Sequence, residues 1–356
     1  MINKIVITGG PCAGKTTCLE HIGAYYSSLG FEVIIIPETA TNLIKSGVTN
    51  ESGGSAINFQ RKVMKNQLFN ENNIRAKTDK TIVFLDRGLM DGSAYITDDE
   101  FSTILAENGI SLIDARDRYD AVFHLMTGAR ADDYTTENNP ARTESKEQAI
   151  ELDNKIISAW VGAPHFRVIE NERNFEDKLN NLISEISFFL GIPRPYEIER
   201  KFLIEYPKLN DLSSNPFCKR VEIEQYYLYF NDEGRVRARK RGADGSFIYF
   251  KTIKKDISKT KRIEIESIID EAEYNRLINS ADKIIGRIIK ERYCLYENGK
   301  YFEIDVFPFW FDKALLEIEL KDENEAFELP SCVTPIREVT TEKKYKNSYL
   351  AQIYRI

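Results

Sequence analysis

The segment GIPRP, Gly191 to Pro195, separates two parts of the chain whose strand patterns differ. Before it, short continuous apolar runs alternate with helical segments, a pattern typical of a parallel sheet covered by helices. After it, strands with a period of two dominate and are broken by turn signals such as NDEG and ENGK. A chain of 356 residues also exceeds one typical core. We therefore predict a first domain at 1–190, a linker at 191–196 and a second domain at 197–356.

Buried-strand candidates in the first part predict a doubly wound, mostly parallel sheet. They are KIVIT (4–8), FEVIII (31–36), TIVFLD (81–86), AVFHLM (121–126) and HFRVIE (165–170). Helices are predicted between them at 15–29 and 55–75 and after the last strand at 174–190. The long polar segment 128–145 is rich in turn formers and predicts a mobile loop or lid.

Composition favours a cytoplasmic protein. The five cysteines are scattered and lack metal-ligand spacing, which is typical of a reduced compartment. No apolar run is long enough to span a bilayer, and the chain enters a predicted strand without room for a signal peptide. The net charge is −7, with the acidic excess in the first part, which disfavours a long nucleic-acid substrate.

The segment GGPCAGKT, 9–16, lies between a predicted strand and a predicted helix and satisfies the phosphate-binding pattern G-x-x-x-x-G-K-[ST]. Its glycines allow backbone N–H groups to wrap the phosphates of a nucleotide at a helix N-terminus. Lys15 adds positive charge, and Thr16 can offer its hydroxyl to Mg²⁺. The alternative is a glycine turn with a chance GKT, which this position between strand and helix disfavours. We predict an ATP site formed by Gly9, Gly14, Lys15, Thr16 and Thr17.

Two further strands of the first part lead into acidic residues. Glu38 follows the strand that ends in VIII, and Asp86 closes TIVFLD directly before Arg87. The carboxyl ends of parallel strands form the ligand-binding edge of such a sheet. An acid at the position of Asp86 can hold Mg²⁺ directly or through water. The simple alternative is that Glu38 and Asp86 only solvate strand ends.

These features resemble nucleoside and nucleotide kinases, and most of all small P-loop ATPase and kinase domains related to the ribosylnicotinamide kinases. The resemblance covers roughly residues 1–190. It implies that Glu38 or Asp86 is the base on an acceptor hydroxyl and that Arg87 grips substrate or phosphate. It also implies that Arg130 and Arg142 in the lid close over the transferring phosphoryl group, although polar loops often carry arginines without such a role.

Charged residues in the second part are sorted by sign along its strands. Four arginines recur at every second position of RVRARKR, whereas acids recur in FEIDVF and LEIEL. Any one of these strands could simply present a solvated face. Four like charges in one row repel, however, which favours an anionic partner. The sorting predicts a barrel with a polar interior that binds phosphates and divalent cations. No histidine lies in this part, so oxygen ligands and Mg²⁺ or Mn²⁺ are favoured over zinc.

The segment EIERK, 197–201, resembles the E-x-E-x-K signature of CYTH domains, also called triphosphate tunnel metalloenzymes. Later motifs follow in the family's order: RVRARK, YFKT, RIEIE, IKERY, FEIDVF and LEIEL. The resemblance covers 197–356 and implies an eight-stranded antiparallel β tunnel. It implies metal ligands at Glu197, Glu199, Asp305, Glu317 and Glu319. It implies phosphate contacts at Lys201, Arg237, Arg239, Lys251, Arg292 and Lys343 or Lys344. We also predict that Lys201 is a catalytic residue.

The motifs together predict a bifunctional phosphoryl-transfer enzyme. Its first domain would be an ATP-binding small-molecule kinase or NTPase, and its second a metal-dependent triphosphatase that releases the terminal phosphate of inorganic or organic triphosphates. The expected partners are therefore phosphorylated small molecules. Three alternatives stay open: a class IV-type adenylate cyclase, a nucleotide- or polyphosphate-sensing regulatory protein, and processing of an RNA 5′ end.

Overall fold

The computed structural model describes residues 2–48, 55–130, 145–172, 174–192, 198–256, 262–320 and 325–354. The chain divides into two compact units, Met1–Tyr196 and Glu197–Ile356. Among the described residues, no helix combines the length and hydrophobicity needed to cross a membrane.

The first unit alternates strands and helices. Its strands are β1 (Ile2–Gly9), β2 (Glu32–Ile36), β3 (Thr81–Asp86), β4 (Ala121–Leu125) and β5 (Phe166–Ile169). Its helices are α1 (Lys15–Ser28), α2 (Thr39–Lys45), α3 (Ala56–Asn72), α4 (Asp98–Glu107), α5 (Leu112–Asp117), α6 (Lys146–Trp160) and α7 (Phe175–Phe189). Short 3₁₀ helices occupy Leu89–Tyr95 and Gly128–Arg130. Side-chain caps mark several helix starts, as at Ser145, whose hydroxyl accepts a hydrogen bond from Gln148 N.

These strands form one parallel sheet in the order β2-β3-β1-β4-β5. Strand β1 is central, and the order of strands reverses around it, which is where ligands bind in open α/β sheets. Strands β3 and β4 are buried along their whole length, as their apolar sequences require when helices cover both faces. The main core lies between the sheet and helices α1 and α7, with Tyr26 and Phe84 among its largest members.

The second unit is mainly antiparallel. Its strands are β6 (Ile198–Glu205), β7 (Cys218–Phe230), β8 (Gly234–Ala243), β9 (Ser246–Asp256), β10 (Arg262–Ile269), β11 (Lys283–Glu297), β12 (Lys300–Val306), β13 (Lys313–Leu320) and β14 (Pro335–Glu338). Its helices are α8 (Leu209–Ser214), α9 (Glu271–Ser280) and α10 (Asn347–Ile353), and a 3₁₀ helix occupies Lys343–Tyr345. The strands pair in the order β10-β9-β8-β7-β11-β12-β13-β6-β14.

The two faces of this sheet differ in chemistry because side chains alternate along each strand. One face carries apolar clusters, of which one includes Phe202, Ile304 and Leu316, and another packs Val236 and Ala238 against α9. The opposite face, here called the charged face, carries the ionisable residues of β6, β8 and β11–β13.

At one end of the charged face the side chains become apolar and pack against α10. Leu203, Ile288 and Leu315 form this cluster with Leu350 and Ala351 of the helix. Strand β11 carries Gly286 where the helix approaches, because a Cβ there would lie 2.6 Å from the backbone oxygen of Ala351. A β-bulge between Ile284 and Gly286 accompanies this contact.

The predicted fold class is confirmed: an α/β unit with a parallel sheet precedes a unit built on an antiparallel sheet. All eight strands predicted in the second part form. The expected count of eight is corrected to nine in the described residues, because β14 adds to the edge of β6. This strand has only four exposed residues and begins with proline, so it lacks the apolar alternation that reveals a strand in sequence.

The buried position of β3 predicts a large difference between two phenylalanines. Phe84 is fully buried, so Phe84→Ala should lower the free energy of unfolding of the first unit by about 3–5 kcal/mol. Phe69 on α3 is 66% exposed, and Phe69→Ala should change it by no more than about 0.5 kcal/mol. Urea denaturation of the two variants measures this difference. Equal losses would contradict the placement of β3 in the core.

Candidate active sites

The P-loop connects β1 to α1 in a conformation that depends on its glycines. Gly14 has φ 83°, and Gly9 has φ 145°. A Cβ on Gly9 would lie 2.1 Å from Leu125 O, and one on Gly14 would lie 2.7 Å from the ring of Phe175. The approach to backbone leaves no room for a side chain at Gly9, and the left-handed φ of Gly14 would strain any other residue there.

Lys15 begins α1 and folds back over the loop. Its Nζ lies 2.9 Å from Gly9 O and 3.0 Å from Gly10 O. Burial, aided by the nearby positive charge of Arg87, lowers the pKa of Lys15 to about 8. Thr16 and Thr17 follow in the first turn of the helix and are exposed. An anionic ligand bound in the loop would stabilise the protonated, positively charged form of Lys15, which burial disfavours.

Arg87 brings together the ends of β2 and β3. Its φ is 72°, a left-handed conformation that a non-glycine residue adopts only when its surroundings hold it there. Its guanidinium lies 2.5 Å from Glu38 Oε1 and 3.1 Å from Asp91 Oδ1. Although burial opposes its charge, Arg87 and Lys15 lower the pKa of Glu38 to about 2. Glu38 is thus an ionised anchor for Arg87, which makes it a weak proton acceptor.

Asp86 has a different environment from Glu38. It is buried at the end of β3, and burial raises its pKa to about 6. Its Oδ1 is buried and has no hydrogen-bond partner in the part of the chain that the structure describes. A buried carboxylate oxygen without a partner is costly unless a ligand completes its contacts. Its chemistry therefore fits a Mg²⁺ ion or an acceptor hydroxyl at this edge of the sheet.

Two buried acids that the sequence analysis missed hold this site together. Asp153 of α6 accepts hydrogen bonds from Gly10 N at 3.0 Å and from Thr127 N at 3.2 Å, and its Oδ1 lies 2.9 Å from His124 Nε2. Asp91 accepts hydrogen bonds from Arg87, Gly88 N, Thr8 Oγ1 and Trp160 Nε1. Both acids lie inside helical segments without a motif around them, so nothing in the sequence separates them from surface acids.

The predicted lid arginines have different outcomes. Arg130 ends the 3₁₀ helix after β4, and its Nε lies 3.4 Å from Asp153 Oδ2. It is therefore connected through Asp153 to the P-loop backbone. Arg142 and most of the predicted lid lie outside the described residues. A buried lysine that was not predicted, Lys178, donates hydrogen bonds to Ala13 O at 3.1 Å and Met126 O at 2.6 Å.

On the charged face of the second unit, EIERK supplies Glu199 and Lys201. Lys201 Nζ lies 3.1 Å from Glu199 Oε1 and 2.7 Å from Glu317 Oε1 on the neighbouring strand. Burial and the negative charge of Glu317 raise the pKa of Glu199. Glu197 lies outside the described residues. Lys201 is buried on the charged face, whereas 43% of the Glu199 side chain remains exposed, and Phe202 packs on the other side of the strand.

Strands β11 and β12 contribute a dense set of ion pairs. Arg292 lies 2.7 Å and 2.8 Å from the two oxygens of Asp305, and it also contacts Glu303 and Glu317. Lys290 contacts Asp305 as well. Although burial disfavours its charge, Arg292 and Lys290 hold the pKa of Asp305 below its usual range. Asp305 is fully buried and saturated by cations, so in this arrangement it orients Arg292.

The arginines of β8 meet one acid of β10. Glu266 lies 2.9 Å from Arg237 Nη2 and 2.7 Å from Arg239 Nη2, and Thr252 Oγ1 donates to it at 2.7 Å. Arg239 is held by burial at a pKa of about 10, still protonated near neutrality. Its Nε is buried without a hydrogen-bond partner among the described side chains and backbone. Glu266 and Thr252 were not among the predicted site residues, although RIEIE contains the glutamate.

Three predicted phosphate-binding lysines are not brought to this cluster. Lys251 pairs in register with Ala238, whereas Thr252 pairs with Arg237, so Lys251 lies on the opposite face and contacts Glu233. The expectation that Lys251 joins Arg237 is therefore corrected by strand register. Lys343 and Lys344 are exposed in their 3₁₀ helix.

A cavity of about 570 Å³ opens on the charged face, and its lining includes Glu199, Lys201, Tyr227, Arg235, Arg237 and Lys346.

Carboxylates on the charged face have the donor chemistry for a divalent cation. Register places Glu303 beside Glu317 and Glu319 beside Glu199. All of these donors are oxygens, which Mg²⁺ and Mn²⁺ prefer. In the described residues no group of three such side chains is arranged to hold a metal ion, since Lys201 and Arg292 occupy the carboxylates instead. These carboxylates can therefore coordinate a divalent cation if they release Lys201 and Arg292 when the cation binds.

The position of Asp153 generates a prediction for the P-loop. Asp153→Ala removes the acceptor for two backbone N–H groups and His124, and each buried group left unsatisfied costs about 1–3 kcal/mol. We expect lower stability of the first unit and weaker ATP binding, measured by chemical denaturation and by equilibrium binding. Asn154→Ala is the control, because among the described residues its side chain is hydrogen-bonded only to Arg130. Equal effects of the two substitutions would contradict a role of Asp153 beneath the loop.

Comparisons with known proteins agree with both geometries. Residues 4–178 match the family described as AAA domain, and residues 195–352 match the CYTH domain family. No curated protein matches the chain significantly.

Two solved structures are similar to part of the chain. One is described as the crystal structure of the inorganic triphosphatase NE1496, with 30% identity over 44% of this chain and 95% of that chain, at a TM-score of 0.31. The other is described as the crystal structure of the hypothetical protein NE1496, with 31% identity over 44% of this chain and 98% of that chain, also at a TM-score of 0.31. The chain therefore carries an AAA domain in its first unit and a CYTH domain in its second.

Proposed function

We propose that the CYTH domain is a divalent-metal-dependent triphosphatase that releases the terminal phosphate of inorganic or organic triphosphates. Arg239 is the observation that carries this proposal. Its buried Nε lacks a hydrogen-bond partner in the described structure, and it lies on the charged face with Arg237. A phosphate oxygen supplies the charge-assisted partner that this donor lacks. The similar inorganic triphosphatase supports the same substrate class.

Basic and acidic side chains of the charged face are proposed to have different roles. Lys201, Arg237, Arg239 and Arg292 are proposed to hold the phosphates and to spread the charge that builds up on them. Glu199, Glu303, Glu317 and Glu319 are proposed to hold the cation, together with Glu197. When bound, Mg²⁺ or Mn²⁺ would neutralise the triphosphate and activate water. Asp305 is assigned a different role from the one first expected: it keeps Arg292 in position.

The AAA domain is proposed to bind ATP and to act as a small-molecule kinase or NTPase. Lys15 and the P-loop backbone would hold the phosphates, and Thr16 with Asp86 would hold Mg²⁺. Asp86 is favoured over Glu38 as the group facing an acceptor hydroxyl. It has a raised pKa and an unpartnered oxygen, whereas Glu38 is committed to Arg87. Arg87, Arg130 and Arg142 are proposed to contact phosphate or acceptor.

The two activities can be separated by single substitutions in the full chain. Phosphate release from inorganic triphosphate, ATP and thiamine triphosphate is measured with Mg²⁺ or Mn²⁺. We expect Glu199→Gln to lower kcat for inorganic triphosphate by about 10²-fold or more, because it removes a cation ligand from the charged face. Lys15→Ala should leave that rate unchanged and abolish the ATP-dependent activity of the first domain.

A matched control is Glu291→Gln, since this glutamate lies on β11 next to Arg292 but faces away and contacts Arg220. It should retain wild-type hydrolysis. Equal hydrolysis by wild type and Glu199→Gln would contradict the assignment of the charged face. Chromatography of the products formed from ATP distinguishes hydrolysis from cyclisation. ADP and phosphate indicate a hydrolase, whereas cyclic AMP would show that the domain is a cyclase.

A further inference from the structure

Tyr227 lies at the boundary between the apolar end and the charged middle of the charged face. It pairs in register with Arg237 on β8 and lines the cavity beside Lys201. Its ring packs against the apolar cluster that includes Leu203 and Leu350. An aromatic ring anchored in this way carries its hydroxyl at a fixed position with little conformational freedom.

The orientation of the Tyr227 hydroxyl is set by Gln225. Gln225 is buried on the same strand face, and its Nε2 donates a hydrogen bond to Tyr227 Oη at 2.9 Å. The phenolic oxygen is therefore an acceptor in this contact, which leaves its own proton for another partner. Within the part of the chain that the structure describes, that hydroxyl donates no hydrogen bond. Its proton is available to the cavity.

The charges around the hydroxyl show what kind of partner it would meet. Arg237, Arg239 and Lys201 are near enough to act on its ionisation, as is Glu317. Burial nevertheless raises the pKa of Tyr227 to about 12, so the hydroxyl keeps its proton at working pH. It is a neutral donor among cations that attract anions.

We propose that Tyr227 donates a hydrogen bond to a phosphate oxygen of the triphosphate bound on the charged face, and that Gln225 positions it. This inference rests on the proposed triphosphatase function and adds a substrate contact outside the charged motifs. The arginines and lysines attract the phosphates over a distance, whereas the hydroxyl bonds an oxygen only along one direction. Tyr227 would thereby fix where along the cavity the phosphate chain stops.

Tyr227→Phe tests the contact because it removes only the hydroxyl. A hydrogen bond to a charged group predicts a loss of about 10- to 100-fold in kcat/KM for inorganic triphosphate. The adjacent Tyr226→Phe is the matched control. Its hydroxyl lies on the opposite face and donates to Glu224 at 3.1 Å, so its kcat/KM should stay within about twofold of wild type.

A double-mutant cycle with Gln225→Leu tests the positioning role. This substitution should reduce kcat/KM in the wild-type background and have no further effect in Tyr227→Phe, because the hydroxyl that it orients is then absent. Additive losses would overturn the positioning role of Gln225. The ratio of wild type to Tyr227→Phe should also stay constant between about pH 6 and pH 10, since the hydroxyl does not ionise there.

Failure of this inference can be told apart from failure of the triphosphatase proposal. If wild type hydrolyses inorganic triphosphate and Tyr227→Phe is equally active, the tyrosine contact is overturned and the function stands. If wild type releases no phosphate, the equilibrium Kd for inorganic triphosphate becomes the readout. A Kd raised about 10-fold or more by Tyr227→Phe, with Tyr226→Phe unchanged, then supports the contact, and a smaller change overturns it.

Discussion

The second unit depends on ion pairs that allow a sheet to bury charges on one face. Lys201, Arg292 and Glu266 each contact at least two groups of opposite sign and so link several charges into each cluster. Removing one partner from such a cluster leaves an uncompensated buried charge, which is far more costly than the net gain from any single pair. This constraint keeps long basic and acidic side chains fixed around a cavity, where a polyanion with cations can replace the internal partners.

The first unit solves a similar problem with backbone groups. The backbone N–H groups of its P-loop point toward a ligand. The loop must therefore be fixed by side chains that contact it on the side away from the ligand and do not compete for that ligand. Asp153 and Lys178 do this from α6 and α7, one by accepting backbone hydrogen bonds and the other by donating to carbonyl oxygens. Arg87, Glu38 and Asp91 form a separate cluster at the ends of β2 and β3. Asp86 is left with an open carboxylate oxygen between these supports.

Much of this arrangement could be predicted because it is local in sequence. The P-loop is contiguous, and period-two alternation places Glu199 with Lys201 and Arg237 with Arg239 without knowledge of the fold. Prediction failed where a motif does not fix strand register. Lys251 was chosen in YFKT, but the pairing of β8 with β9 turns Thr252 to the charged face. Strand β14 was missed because its four exposed residues carry no apolar alternation.

The sequence by itself determined the two fold classes, the phosphate-binding loop and the sorting of charges by sign along the strands, because each follows from residue spacing. Only the tertiary structure decided which charges meet. It separated Asp86, which keeps an open oxygen, from Glu38, which is bound by Arg87. It also buried Asp305 beneath Arg292 and turned Tyr227 toward the cavity beside Gln225. These outcomes depend on contacts between residues distant in sequence, whose burial and partners set both the pKa and the remaining hydrogen-bonding capacity of each group.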